Sequence, residues 1–321
     1  MVANRTGKSG RNKNVKKYRM GLQMKRALIC TLAIVLLSGM IWIFIAKLGY
    51  VGNHEPNLTH YSIPKQLHFS FTLQNTTNSI IKKAEIWTHA PVELTATQKC
   101  VQIRSSHPYR LVNDDLGNQI LHFTVNSLPP YTAKIITIKT DLLLSKEANP
   151  QSEDLLQRYL GPEKYIESDD ANINRLAQKL KASDSLMTAQ RIFQWVTDNV
   201  RYTGYIRNER GARYALAHKK GDCTEFMDLF IALCRADRIP ARGVGGYVIK
   251  DGAILRPESY HNWAEFYNEG VWHLVDPQNK AFRQNHTDYI AMRIISASAD
   301  TSLPVFSRYG FKGEGLKVSM N

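Results

Sequence analysis

No aspartate or glutamate occurs in the first 26 residues, which carry Arg5, Lys8, Arg11, Lys13, Lys16, Lys17, Arg19, Lys25 and Arg26. These nine account for all but +5 of the formal charge of +14. What remains is too small to indicate an acidic substrate, and a short basic tail beside an apolar run fits topology better than nucleic acid, which is not expected as a partner. Cysteine is also scarce. There are four, and no pair has C-x-x-C spacing, which argues against a disulfide framework and a finger-type zinc site. Cys30 lies in an apolar run, Cys100 in a strand-like region, and Cys223 and Cys234 on one helical stretch. Two isolated buried thiols, or a Cys100–Cys234 pair in an oxidising compartment, both fit. No stretch follows the EF-hand loop pattern, and Asp114-Asp115 and Asp169-Asp170 read as turns or helix starts. No cofactor or metal is expected.

What is present begins with an uncharged run from Ala27 to Ala46. Its length matches the ~20 residues that span a bilayer as a helix. Basic residues precede it and only Lys47 follows closely, so the positive-inside rule puts residues 1–26 in the cytoplasm and the rest outside. A cleaved signal peptide is the competing reading; its apolar region would be shorter, ~7–15 residues, and end in a small-x-small site. The run instead ends Ile-Phe-Ile-Ala-Lys, favouring an uncleaved single-pass anchor in an inner membrane, with a periplasmic or extracytoplasmic remainder. The bilayer, through 27–46, is thus one expected partner.

Residues 47–64, with Gly49, Gly52, Asn53, Pro56 and Pro64, read as a linker. From 65 to 148 short alternating runs recur: Leu67–Leu73, Ala84–Trp87, Ile120–Val125 and Ala133–Ile138. Turn signals separate them, as in a small antiparallel sandwich. From 149 to 321 helices return. Ile173, Leu176, Ala177 and Leu180 share one face, and Ala189, Ile192, Phe193 and Val196 another. Val244–Ile249, Tyr289–Ile295 and Gly315–Val318 look like strands of the same second domain.

Chemistry concentrates at Gly221-Asp222-Cys223-Thr224-Glu225-Phe226-Met227. Asp222 and Glu225 are spaced as a capping box, and Phe226, Leu229, Phe230, Leu233 and Cys234 form an apolar stripe ending near Asp237, before Pro240. Cys223 would be the first helical residue, where free N–H groups and the helix dipole favour a thiolate. A core cysteine at a helix start is the plain alternative. Further on, Tyr260–Tyr267 and Val271–Pro277 flank Asn268-Glu269-Gly270, a hairpin signature. A two- or three-residue turn places His261 opposite a residue within two positions of Asp276, close enough for a hydrogen bond. A nucleophile, a base and an orienting carboxylate follow from that arrangement.

Gly-Asp-Cys-Thr-Glu-Phe, Ile239-Pro240-Ala241-Arg242 with Gly246-Tyr247, His261-Asn262-Trp263-Ala264-Glu265 and Trp272-His273-Leu274-Val275-Asp276-Pro277 resemble the transglutaminase-like core superfamily. The resemblance covers roughly residues 150–321 and fits its membrane-anchored bacterial type. It implies an α+β fold: a papain-like core preceded by a small β-sandwich and a single transmembrane helix. It also implies Cys223 as nucleophile, His261 as base and Asp276 as orienting carboxylate. The expected activity is acyl transfer from amides of proteins or peptides in the cell envelope through a thioester. An amine acceptor gives a cross-link; water gives deamidation or peptide hydrolysis.

Two other readings compete: a catalytically silent scaffold, and a zinc site made of Cys223, His261 and Asp276. Around the triad, Trp195, Tyr202, Tyr205 and Tyr214 are candidates to border a cleft, and His218 to line it. Trp263 is expected to pack, His273 to sit at the surface or pack, and Asn262 to have no role. The Cys223 N–H is one expected oxyanion donor.

Overall fold

The computed structural model describes residues 60–151, 156–205, 207–250, 252–296 and 306–321. The expected basic tail, the apolar run 27–46 and residues 47–59 of the linker lie outside these. Among the described residues no helix is long and apolar enough to cross a membrane.

Alternation in the first third makes two four-stranded antiparallel sheets. β1 (Ile63–Asn75), β2 (Ile81–Ala90), β3 (Gln98–Ser105), β4 (Tyr109–Asn113), β5 (Gln119–Leu128) and β6 (Ala133–Leu144) supply most of them. Phe69, Phe71 and Leu73 of β1 are buried at every second position and share a core with Ile86, Leu121, Phe123 and Val125. The four expected runs lie inside β1, β2, β5 and β6. β3 and β4 carry mixed, largely exposed sequence at sheet edges, so they have no clean alternation to read.

The remaining strands form a five-stranded antiparallel sheet. It contains β9 (Ala241–Val248), β10 (Tyr260–Asn268), β11 (Val271–Asp276), β12 (Ala281–Phe282) and β13 (Tyr289–Ile295), in the order β12-β11-β10-β9-β13. Four helices accompany it: α1 (Ala171–Leu180), α2 (Ser185–Asn199), α3 (Gly211–His218) and α4 (Cys223–Ala236). α4 is the hub. Phe226 to Arg235 are buried without a break, among Ile173, Ile192 and Ala212 of the other helices and Phe266 of β10. A helix enclosed on all sides reads as an apolar run rather than a narrow stripe. β7 (Arg201–Tyr202) and β8 (Lys220–Gly221) form a short parallel pair just before it.

The chain's end departs from expectation. β13 does join the core sheet, but β14 (Tyr309–Lys312) pairs with β2 and β15 (Leu316–Met320) pairs with β1. The C-terminal strands therefore complete the sandwich, not the core sheet, so the second domain's sequence run returns to the first. Their apolar side chains Leu316 and Val318 fill the sandwich core alongside Leu73. The same core takes in Tyr247, Ile249, Ile290 and Met292 of β9 and β13, so sandwich and core sheet share buried apolar surface.

Candidate active site

The loop that carries Cys223 folds as its spacing dictates. Asp222 accepts from the Thr224 N–H at 2.8 Å, and the Glu225 carboxylate accepts from the Asp222 N–H at 2.9 Å, closing the capping box. Glu225 is pinned further by Arg210 at 3.1 Å. Cys223 therefore sits at the first helical position, half-buried, with its N–H among the four that a helix leaves without an intrahelical acceptor.

His261 arrives on the hairpin. Asn268 pairs with Val271 across a two-residue turn whose central residues Glu269 and Gly270 both have positive φ, as the hairpin twist requires. Ala264 opposes Val275, so the register puts Asp276 opposite Trp263 and diagonal to His261. The diagonal is bridged: His261 Nε2 lies 2.7 Å from Asp276 Oδ2. With Nε2 committed, Nδ1 is the nitrogen left to serve Cys223, which lines the same cleft. The structure thus brings all three sequence-predicted residues together.

The carboxylate is over-determined. Asp276 Oδ2 also accepts from the Tyr289 hydroxyl at 2.8 Å and Asn279 Nδ2 at 2.7 Å, while Oδ1 accepts from the Asn279 N–H at 3.1 Å. Burial alone would raise this carboxyl, but the His261 bond and charge, with the Asn279 and Tyr289 donors, hold it below its usual value. Burial alone would likewise depress His261; its bonds to Asp276 and Cys223 outweigh this and push it up to about 9. The imidazole is poised to carry a proton beside the sulfur.

Tight backbone approach makes room for this. His261 opposes Gly246, and a Cβ there would collide with the Ile290 carbonyl and the ring of Trp263. Trp263 is buried edge-on against Tyr289, with ring centroids 5.2 Å apart, so it packs beneath the triad. His273 is buried against Phe266, and burial lowers it to about 4. Glu265 pairs with Arg242 at 2.7 Å.

A cleft of about 600 Å³ opens over Cys223 and His261. Of the four candidate aromatics, Tyr202 and Tyr205 line it and are exposed. Trp195 instead lies under Lys219, and Tyr214 is stacked by Arg210 and His218. Asn262 is corrected: it lines the cleft and donates from Nδ2 to Thr224 Oγ1 at 3.0 Å. Period-two alternation does point it away from the His261 face, but the first turn of α4, not solvent, lies there. Asn279 and Tyr289 were also missed. Asn279 follows Asp276 by three residues, a local signal for a turn held by Asp; Tyr289 lies two strands away and has no local signal.

Cys100 and Cys234 are free thiols. Burial raises both, Cys100 to about 11 and Cys234 well above the ordinary thiol range. Among the described residues no three His, Cys, Asp or Glu side chains are grouped as for a metal ion.

Residues 174–277 match the Transglutaminase-like superfamily core. The chain thus has an α+β fold with an N-terminal β-sheet region and a transglutaminase-like core. It resembles a structure from Cytophaga hutchinsonii described as a candidate cysteine protease, at 19% identity and a TM-score of 0.53, over 81% of this chain and 92% of that one. A second similar structure is the periplasmic domain of TgpA from Pseudomonas aeruginosa, at 15% identity and a TM-score of 0.36, over 70% of this chain and 93% of that one. No curated protein matches the chain.

Proposed function

We propose that this chain is a thiol acyl-enzyme acting on amide bonds of proteins or peptides, with Cys223 as nucleophile, His261 as acid and base, and Asp276 as orienting carboxylate. The observation that carries the reading is the His261 Nε2–Asp276 Oδ2 bond of 2.7 Å, on an imidazole that lines the same cleft as Cys223. The Cys223 thiolate adds to the amide carbonyl. The His261 imidazolium gives its proton to the leaving amine as the C–N bond breaks, leaving a thioester. Neutral His261 then takes a proton from water or an amine as that nucleophile adds, and the thiolate leaves. The Cys223 N–H donates to the oxyanion. Tyr202, exposed on the lining of the same cleft, is the candidate for the second donor.

Residues 27–46 anchor the protein in an inner membrane, and the domain acts outside the cytoplasm. The uncharged run and the segment before it, whose charged residues are all basic, support this topology.

Iodoacetamide labelling of the full chain across pH, with Cys223→Ala and His261→Ala as controls, tests the triad. Labelling at Cys223 well below pH 8, slowed or shifted upward without His261, is expected. Incubation with a glutamine peptide and a fluorescent primary amine then separates the outcomes. Amine incorporation marks transfer, ammonia release alone marks deamidation, and a new peptide N-terminus marks hydrolysis. Labelling no faster than a free thiol, with no Cys223-dependent product, would establish a binding scaffold instead.

A further inference from the structure

One wall of the cleft is held by the sandwich. The stretch Ala253 to Leu255 docks on β1, with the His68 N–H donating to the Ala253 carbonyl at 2.6 Å and the Leu255 N–H to the His68 carbonyl at 2.8 Å. The chain then runs directly into Pro257, Glu258, Ser259 and Tyr260, which line the cleft. Ser307 and Arg308, also lining it, immediately precede β14, which β2 holds. The Tyr260 hydroxyl joins the two segments by donating to the Ser307 carbonyl at 3.1 Å.

Two guanidinium groups are mounted on this wall. Arg308 donates from Nη1 to the Pro257 carbonyl at 3.2 Å and lies over Tyr260, 5.5 Å from the ring centroid. Arg293 donates from Nη1 to the Phe306 carbonyl at 2.6 Å and follows a register shift in β13, the kind of bulge that re-aims a side chain. Its Nε is buried and has no partner among the described residues. A guanidinium has five donors, so each group keeps several to spare.

Neither is ion-paired among the described residues, although Arg104, Arg158, Arg210, Arg213, Arg235 and Arg242 all are. Among the acids in the cleft, Asp222 is spent on the helix cap and Glu258 stands exposed, while the charge of Glu209 acts on Arg293 without closing an ion pair with it among the described residues. Partly buried cations with unused donors beside a nucleophile invite an anion.

We propose that Arg293 and Arg308 form a carboxylate-binding subsite, so that the preferred amide substrate carries a carboxylate near its scissile bond. The inference rests on reading Cys223 as the nucleophile, which makes the substrate a peptide and its anion a carboxylate. The sandwich then serves substrate choice, because it holds the residues that make the selection.

The full chain with Cys223→Ser is titrated calorimetrically with N-acetylglutamine amide, N-acetylglutamate α-amide and N-acetylglutamine bearing a free α-carboxylate. One of the two acids should bind about tenfold tighter than the neutral compound, as expected for charge-assisted hydrogen bonds. Which acid it is distinguishes a side-chain carboxylate from a chain terminus. The advantage should shrink in Arg308→Gln and Arg293→Gln and be partly kept in Arg308→Lys. Equal binding of all three compounds overturns the subsite, however the variants fold. In a second arm, Cys223 of the unsubstituted chain is alkylated by iodoacetate and by iodoacetamide. A preference for iodoacetate that drops in Arg308→Gln supports the subsite. A preference unchanged in that variant belongs to the His261 imidazolium and counts against it. A Cys223 that reacts with neither reagent overturns the acyl-enzyme reading, while the calorimetric comparison still decides whether the subsite binds a carboxylate.

Discussion

Asn262 Nδ2 donates to Thr224 Oγ1 across 3.0 Å, tying the strand that carries His261 to the first turn of the helix that carries Cys223. Each partner is the immediate neighbour of a residue proposed to react. The bond therefore fixes the separation between sulfur and imidazole from outside the triad. Asn262→Ala and Thr224→Ala are each expected to lower the acylation rate about tenfold, with much of the loss shared in the double variant, because both remove one link. Thr224→Ser should restore the rate. Full additivity of the two losses in single-turnover acylation would show that the bond is incidental.

Asp276→Asn should lower kcat by about 10⁴, the scale seen when a triad aspartate is replaced by asparagine. The pH dependence follows from His261. Against burial, the bond to Asp276 and its charge push His261 up to about 9, so the imidazolium is expected to persist through neutral pH. Without the Asp276 charge that value falls, so the alkaline limb of acylation moves to lower pH. A variant whose alkaline limb stays in place would mean that Asp276 does not govern the base.

Gly246→Ala is expected to destabilise the core sheet by about 2–3 kcal/mol, because its Cβ would meet the Ile290 backbone, which cannot swing aside as a side chain can. Urea denaturation reads this directly. A neutral result would mean that β13 shifts away at little cost.

Asp228 is fully buried on α4, and burial first, then the nearby carboxylates Glu209, Glu225 and Glu167, raise it well above its ordinary value. A carboxyl raised in the folded state stabilises the fold at low pH, and that contribution is lost as pH rises through the folded-state value. Asp228→Asn keeps the shape and removes the titration. It should therefore raise Tm by a few degrees at alkaline pH and change it little in acid. A wild-type Tm that holds flat on the alkaline side, matched by the variant, would contradict this.

The grouping of Cys223, His261 and Asp276 was legible in the sequence because each part is written in short-range terms. Asp222 and Glu225 specify where α4 begins, and so place Cys223 at its N-terminus. Glu269-Gly270 specifies a two-residue turn, which sets the register and puts Asp276 within one diagonal of His261. The apolar faces of α1 and α2 and the alternation of β1, β2, β5 and β6 were equally local. None of this required knowing which strands pair across the molecule.

The remainder of the site depends on pairings that no local pattern carries. Tyr289 reaches Asp276 only because β13 joins the sheet beside β9. Arg308 reaches the cleft only because β14 returns to β2, more than two hundred residues earlier in the chain. Asn262 gains a partner only when α4 packs against β10. The sequence by itself determined that Cys223 opens a helix and that His261 and Asp276 meet across one hairpin, since capping and turn chemistry act over a few residues. Only the tertiary structure decided what surrounds them, because sheet order and domain packing are settled by burial of apolar surface summed over the whole chain.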